Sequence, residues 1–259
     1  MTKRKIFTLV ALFVLLAVRI LVVDPVSNLE QLFSISNPLF LEELLRVIRD
    51  LNSYLLISWS YLLIGIVLVV NRSDLHSLNV DGGLVFLYIL CGLSYFKYFP
   101  WPSGWLVLLL SAAIFILYKK EAFTPTNLQL SAWRTMTLVL IIFFLVLLPI
   151  FDLLQLSKTS SIIELIVYGA PFVLLEEMLF RGLLWKFLDN LNLPTFLILS
   201  LQAFLFWVSH INNMIADPIF FWLLMPIMSI ILGIIVWRSK SLTVSFIAHI
   251  LINFLLGFR

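Results

Sequence analysis

The chain has 259 residues, of which 62% are hydrophobic and 12% are charged, and its formal net charge is +3. Soluble domains contain about 45–50% apolar and about 25% charged residues, so this composition excludes an ordinary soluble protein. The mean hydropathy is +1.10. The basic residues are scattered, which argues against a nucleic-acid-binding surface. The sequence therefore predicts an integral membrane protein in contact with the lipid bilayer.

The N-terminal half consists of long apolar runs with short polar segments between them. The first run, residues 6–23, lacks the small-residue cleavage site of a signal peptide, so we expect it to be a retained span. Residues 39–51 place Leu and Ile at helical spacing among charged residues, which predicts an amphipathic helix on the membrane surface. The other apolar runs of this half are residues 53–70, 83–99, 102–118 and 134–151.

The C-terminal half continues with further apolar runs, at residues 161–186, 193–211, 218–237 and 241–257. Only helices and closed barrels span lipid, and uninterrupted apolar runs favour helices over the alternating pattern of barrel strands. The predicted fold is an all-α polytopic bundle of about eight or nine transmembrane helices. It forms one continuous membrane domain, in which residues 1–155 supply the N-terminal spans and residues 156–259 supply the polar core.

The orientation of the chain follows from the distribution of its basic residues. Lys and Arg are more frequent at the ends of the runs that share a side with the N-terminus, for example Lys119 and Lys120. The positive-inside rule therefore predicts a cytoplasmic N-terminus. Arg19, inside the first run, is interpreted as a topological residue that snorkels to the interface or pairs with an acid.

Charged side chains interrupt the run at residues 161–186. Ionisable groups inside a bilayer are costly and usually functional, and this run contains Glu176, Glu177 and Arg181. Arg181 follows Glu177 by four residues, which predicts an ion pair along the helix. Glu176 points about 100° away from Glu177 on an α-helix. We therefore interpret Glu176 as the carboxylate left free for chemistry.

Two later runs add imidazole and amide groups. His210 follows Phe206 by four residues, and His249 precedes Asn253 by four, so each pair shares a helix face. A carboxylate and a histidine can polarise one water, and the carboxylate can accept its proton. A second histidine and an amide can donate to a developing oxyanion. These groups suffice for amide hydrolysis within a membrane.

The same side chains also permit a metal site. Two histidines and a carboxylate are a ligand set of catalytic zinc centres, and Glu176, His210 and His249 would provide it. The helical His-Glu-x-x-His motif is absent. We therefore favour a mechanism without a metal and keep zinc as the alternative.

Three patterns occur in order on separate apolar runs: Glu-Glu-x-x-x-Arg at 176–181, Phe-x-x-x-His at 206–210 and His-x-x-x-Asn at 249–253. Through them the chain resembles the CPBP family, over about residues 160–257. This family contains the CAAX prenyl endopeptidases of the second type together with bacteriocin-processing and self-immunity proteins.

The resemblance implies an intramembrane endopeptidase of the glutamate type. Glu176 would be the general base, His210 its partner on the water, and His249 with Asn253 the oxyanion pocket. The residues that the resemblance makes supporting are Glu177, Arg181 and Phe206. No cofactor is required by this mechanism, although members of the family have also been described as metalloproteases, which keeps zinc open.

The expected substrate is a membrane-embedded or lipid-modified peptide, and the expected location is a prokaryotic cell membrane. Two other classes remain as alternatives. One is a non-proteolytic peptide-binding or bacteriocin self-immunity protein. The other is a proton-coupled transporter, in which buried Glu and His would relay protons, although the paired repeats of such transporters are not visible in the sequence.

Overall fold

The computed structural model describes residues 3–21, 53–94, 103–123, 169–211, 214 and 217–256. Over these residues the secondary structure is helical, without a strand, which confirms the all-α prediction. The predicted amphipathic segment at 39–51, the predicted span at 134–151 and the predicted division at 155–156 lie outside the described residues.

The described part of the N-terminal half contains four α-helices: α1 (Lys3–Leu21), α2 (Ser53–Val70), α3 (Gly82–Ser94) and α4 (Ser103–Phe123). A 3₁₀ helix, Arg72–Leu78, connects α2 to α3. Each helix begins within a few residues of its predicted apolar run. Pro102 directly precedes α4 in the sequence, at a position where the missing backbone N–H does not interrupt a helix.

The residues described from 169 onward form four more helices. The helix α5 has three parts. It begins with an α-helical part at Ala170–Glu176, continues with a π-helical part at Glu177–Leu184 and ends with an α-helical part at Trp185–Asn190. The helix α6 is Thr195–Val208 and α8 is Leu242–Leu256. Between them, α7 opens with a π turn at Phe220–Leu224 and continues as Met225–Ser239.

The π-helical part of α5 is the irregular element of the fold. π turns are rare and frequently mark functional sites. Here the part begins at Glu177 and includes Arg181, and both side chains are fully buried. The π-helical part of α5 is therefore the part that carries the charged side chains of Glu177 and Arg181.

α5 lies against α1, α6 and α8. Gly182 permits the approach to α8, because a Cβ at this position would lie 3.2 Å from Leu242 Cδ1 and 3.4 Å from the backbone oxygen of Leu78. A small residue at this position therefore allows a close approach of the neighbouring segments. This approach brings the charged part of α5 against the helix that carries His249.

The outward faces of the helices are apolar. Ile116, Phe196 and Leu109 are 67%, 65% and 64% exposed, and large exposed apolar surfaces are uncommon on soluble proteins. Within the described residues one helix, Phe220–Ser239, is long and apolar enough to cross a bilayer unaided, and shorter apolar stretches of 10–17 residues occur in other helices. The presence of eight or nine spans stays a prediction.

Candidate active site

Glu177 is the centre of a buried polar network. It accepts hydrogen bonds at Oε1 from His249 Nδ1 at 2.8 Å and from Arg181 Nη1 at 3.3 Å, and at Oε2 from Ser245 Oγ at 2.6 Å. The side chains of Glu177 and Arg181 have no exposed surface. The predicted ion pair is thus confirmed, and its carboxylate also orients an imidazole from α8.

Phe206 separates this network from the second histidine. The Arg181 guanidinium lies over the Phe206 ring, with Cζ 4.1 Å from the ring centroid, in a cation–π contact. The same ring packs against His210 and His249, at centroid distances of 4.7 Å and 5.8 Å. Phe206 therefore packs against both imidazoles.

Glu176 lies where three other helices meet α5. Its Oε1 is 2.8 Å from Arg19 Nη2 and 3.4 Å from His210 Nε2, and its Oε2 is 3.8 Å from His249 Nε2. The structure therefore brings Glu176, His210 and His249 together, although they belong to three separate apolar runs. The last of these distances is too long for a direct hydrogen bond.

Glu176, which was interpreted as the carboxylate left free for chemistry, has an ion-pair partner from another helix. Arg19, from α1, donates a hydrogen bond to it across the bundle. A buried carboxylate without a compensating cation would be strongly unfavourable, and Arg19 supplies that cation. Its role in the structure is therefore an ion pair within the site rather than an anchor at the membrane interface.

His210 lies beyond the end of α6 and not inside it, as the predicted run to residue 211 implied. The helix ends at Val208, and the His210 backbone N–H donates to the Trp207 carbonyl in a tighter turn. The Phe206 carbonyl accepts instead from Ser209 Oγ at 2.7 Å and from His210 Nδ1 at 2.8 Å. These side-chain bonds replace the helical backbone bond and end the helix.

This turn also determines which nitrogen of His210 faces the site. A carbonyl oxygen only accepts, so Nδ1 carries the proton that it donates to Phe206. A guanidinium only donates, so Nε2 is the acceptor for Arg19 Nη2 at 3.0 Å. Both contacts assign the same neutral tautomer. His210 therefore presents a lone pair, not a proton, toward Glu176.

Asn253 is half-buried on α8, one helical turn after His249. Within the described part of the chain, no hydrogen bond joins its amide to Glu176, His210 or His249. The structure thus brings three of the four predicted catalytic residues into contact. Asn253 lies on the adjoining turn of the same helix.

Two cavities adjoin the site. The smaller, of about 40 Å³, lies beside Glu176 and Arg19 and is otherwise lined almost entirely by apolar side chains. This volume is sufficient for a water molecule. The larger, of about 570 Å³, lies between α1, α2 and α4 and shares Leu15, Val18 and Ser60 with the smaller one. An apolar surface therefore extends from the carboxylate toward the lipid-facing helices.

The arrangement around Glu176 does not fit a zinc ion. Arg19 Nη2 lies 2.8 Å from Glu176 Oε1 and 3.0 Å from His210 Nε2, which are two of the three donor atoms that zinc would need. A guanidinium is a permanent cation, and two cations repel strongly at such a separation. Among the described residues, no three His, Cys, Asp or Glu side chains are grouped to hold a metal.

Arg19 and Ser245 are the residues of the site that sequence reasoning missed. Arg19 is an ionisable residue within an apolar run, which is a signal of function in itself. Ser245 precedes His249 by four residues, so helical spacing already placed both on one face. Neither signal identified the carboxylate that each side chain contacts.

These helices and contacts define a membrane-embedded helical protein with a carboxylate–imidazole centre. The family model of the Type II CAAX prenyl endopeptidase Rce1-like family matches residues 158–255, so this segment is a domain of that protease family. The match confirms the resemblance carried by the three sequence patterns, and it includes Glu176, His210, His249 and Asn253 but not Arg19. No curated protein and no solved structure matches the chain.

Proposed function

We propose that the chain is an intramembrane endopeptidase that hydrolyses a peptide bond with water activated by Glu176 and His210. The observation that carries the proposal is the meeting of Glu176 Oε1 and His210 Nε2, which are 3.4 Å apart. A cavity large enough for water adjoins Glu176 on its Arg19 side. The family match of residues 158–255 supports the same class of reaction. Two acceptors side by side suit a water that donates one hydrogen to each.

The proposed reaction begins with proton transfer to Glu176. A water held by the carboxylate and by His210 Nε2 directs its lone pair at the substrate carbonyl carbon, and Glu176 accepts its proton as the oxygen attacks. The Phe206 carbonyl keeps the proton of His210 on Nδ1, so that Nε2 stays an acceptor. Glu176 then returns the proton to the leaving amine as the C–N bond breaks.

His249 and Asn253 are proposed to face the carbonyl oxygen, as the family resemblance implies. His249 Nδ1 donates to Glu177, so Nε2 donates to an oxyanion only when the ring is an imidazolium. Asn253 reaches the pocket by rotation of its side chain on the adjoining turn.

The substrate that the cavities support is a membrane-associated protein or peptide with an apolar segment or a lipid modification. The larger cavity is almost wholly apolar, and it is continuous with the wall of the smaller one at Leu15 and Val18. Burial of hydrocarbon there is favoured by about 0.8 kcal/mol per CH₂ relative to water. A prenyl chain, an acyl chain and an apolar peptide segment all fulfil this requirement.

One observation favours a second candidate function. In the Arg19–Glu176 ion pair, the carboxylate of the proposed base is occupied by a guanidinium instead of a water molecule. This arrangement suits a non-proteolytic protein that binds a peptide or confers immunity to a bacteriocin. In that case Glu176→Ala would keep the biological effect of the chain. Loss of the effect in this variant supports the peptidase.

The test of the proposed function is peptide cleavage by purified protein in lipid nanodiscs. Peptides ending in a CAAX sequence, with and without a prenyl group, are incubated with the wild type, and the products are identified by mass spectrometry. Glu176→Gln is the test variant. Asp189→Asn is the matched control, because it neutralises a carboxylate of the same helix that is 59% exposed.

We expect the wild type and Asp189→Asn to cleave one defined bond, and Glu176→Gln to cleave it only at a small residual rate although it folds. Faster cleavage of the prenylated peptide identifies the lipid as part of the substrate. Undiminished cleavage by Glu176→Gln contradicts the proposal.

A further inference from the structure

Arg19 occupies a special position in the site, although it belongs to α1 and lies far outside the segment that matches the protease family. Its Nη2 group contacts Glu176 Oε1 and His210 Nε2 at the same time. These are the two acceptors that the attacking water would use. The Arg19 side chain, which is 15% exposed, therefore places a positive charge next to both groups that would activate the water.

The charges of the cluster are balanced in the resting state. The carboxylates of Glu176 and Glu177 are opposed by the guanidinium groups of Arg19 and Arg181. Arg181 is fully buried against Glu177, so Arg19 is the cation assigned to Glu176. The partner of Arg19 is thus the one carboxylate whose charge the proposed reaction changes.

Attack of water moves a negative charge over a short distance. Glu176 becomes neutral when it accepts the proton, and the substrate carbonyl oxygen becomes negative as the new C–O bond forms. Arg19 loses its counterion at that moment, while an anion appears beside it. A fixed cation in this position stabilises the transition state more than the ground state, which is the condition for catalysis.

The other candidate donors are less ready for this role. His249 Nδ1 is engaged by Glu177, and its Nε2 donates only after the ring gains a proton. The Asn253 amide makes no contact with the cluster in the described part of the chain. The Arg19 guanidinium, in contrast, is already within hydrogen-bond distance of the proposed base.

We propose that Arg19 is a further catalytic residue of the site, whose guanidinium donates hydrogen bonds to the substrate carbonyl oxygen as that oxygen becomes an oxyanion. The proposal rests on the peptidase function proposed above. Water takes the place of Nη2 at His210, and the guanidinium turns from Glu176 to the substrate oxygen as Glu176 is neutralised.

The step is balanced without a further reactant. The water O–H bond breaks, its proton goes to Glu176, and the water oxygen bonds to the carbonyl carbon while the π pair moves to the carbonyl oxygen. When the tetrahedral intermediate collapses, that pair returns, the C–N bond breaks and the amine takes the proton from Glu176. Arg19 donates hydrogen bonds throughout and keeps its protons.

The first test compares turnover of a prenylated CAAX peptide by Arg19→Met, Arg19→Lys and the wild type. Removal of one oxyanion donor typically costs about 10²–10³ in kcat, so we expect a loss of this size in Arg19→Met with KM changed only a few-fold. Arg19→Lys retains the charge and should recover part of kcat. Arg4→Met, the same substitution at a residue of α1 that bonds Ser73 on the exposed surface, should be active.

The second test measures binding of a phosphinate analogue of the same peptide, whose anionic tetrahedral group imitates the oxyanion. Arg19→Met should bind this analogue about 10²-fold or more weakly, while its affinity for the uncleaved peptide, measured in the Glu176→Gln background, stays within a few-fold. A defect confined to folding would weaken both ligands together, and that result overturns the proposal.

The outcomes separate this inference from the proposed function. If the wild type cleaves and Glu176→Gln does not, but Arg19→Met keeps its kcat or gains activity, Arg19 is not a catalytic donor and the peptidase assignment stands. If the wild type neither cleaves the peptide nor prefers the phosphinate, both proposals are wrong.

Discussion

Arg19 Nη2 lies 2.8 Å from Glu176 Oε1 and joins α1 to α5. The contact connects α1 directly with the segment that matches the protease family. The N-terminal helices are thus part of the candidate site as well as of the bundle around it. The negative charge of Glu176 is balanced by Arg19 only when α1 is packed against α5.

The buried ion pair of Glu177 and Arg181 should dominate the stability of the site. Arg181→Met leaves a carboxylate without its cation in a fully buried position, and such changes typically cost about 3–5 kcal/mol. Thermal or denaturant unfolding in detergent measures the loss. Lys186→Met on the same helix is the control, because the Lys186 side chain is 28% exposed and its ion pair with Asp189 should contribute less than about 1 kcal/mol. Equal effects of the two substitutions would contradict the buried pair.

Ser245 should stabilise the folded protein through its hydrogen bond to the charged carboxylate of Glu177. Ser245→Ala removes a hydrogen bond to the Glu177 carboxylate, and bonds to charged groups are worth about 1.5–3 kcal/mol. Ser229→Ala is the matched control, since this equally buried hydroxyl donates to the neutral carbonyl of Ala203 and should cost about 0.5–1.5 kcal/mol. Unfolding experiments on both variants give the comparison. A larger loss for Ser229→Ala would be inconsistent with this network.

Chelators should leave the peptidase activity intact. The Arg19 guanidinium occupies the place between Glu176 and His210 that a zinc ion would need. The measurement is turnover of a prenylated CAAX peptide before and after dialysis against a chelator, with the metal content determined in parallel. Loss of activity that zinc restores would establish a metalloenzyme and replace the glutamate mechanism.

Asn253→Ala should lower kcat less than Arg19→Met. The Asn253 amide makes no contact with the cluster in the described residues, whereas Arg19 contacts both groups that would activate water. Both variants are assayed with the same peptide at saturating concentration. The reverse order would assign the principal oxyanion donor to Asn253.

The helices could be predicted from sequence because their signal is local. Long apolar runs predicted α2 and α8 to within a residue or two of the observed Ser53–Val70 and Leu242–Leu256. The π winding after Glu176 could not be predicted, since α-helical periodicity describes only the regular part. The end of α6 before His210 depends on side-chain bonds to the Phe206 carbonyl, which compete with the backbone and leave no signal in hydropathy.

The same distinction applies to the site. The i,i+4 spacing of Glu177 and Arg181 predicted their ion pair, because residues four apart are neighbours on any helix. The contact of Arg19 with Glu176 depends on how α1 packs against α5, and no spacing within one run contains that information. The sequence predicted that His210 and His249 would meet at Glu176, because isolated polar groups are too costly in a membrane and are expected to contact one another.

The most direct test of the central claim is a double-mutant cycle on kcat/KM for Glu176→Gln and His210→Gln. Residues that act on one water as a unit show strongly non-additive losses. We therefore predict that the double variant cleaves a prenylated CAAX peptide about as slowly as Glu176→Gln alone. If the two losses multiply instead, the carboxylate and the imidazole act independently, and the shared-water site described here is wrong.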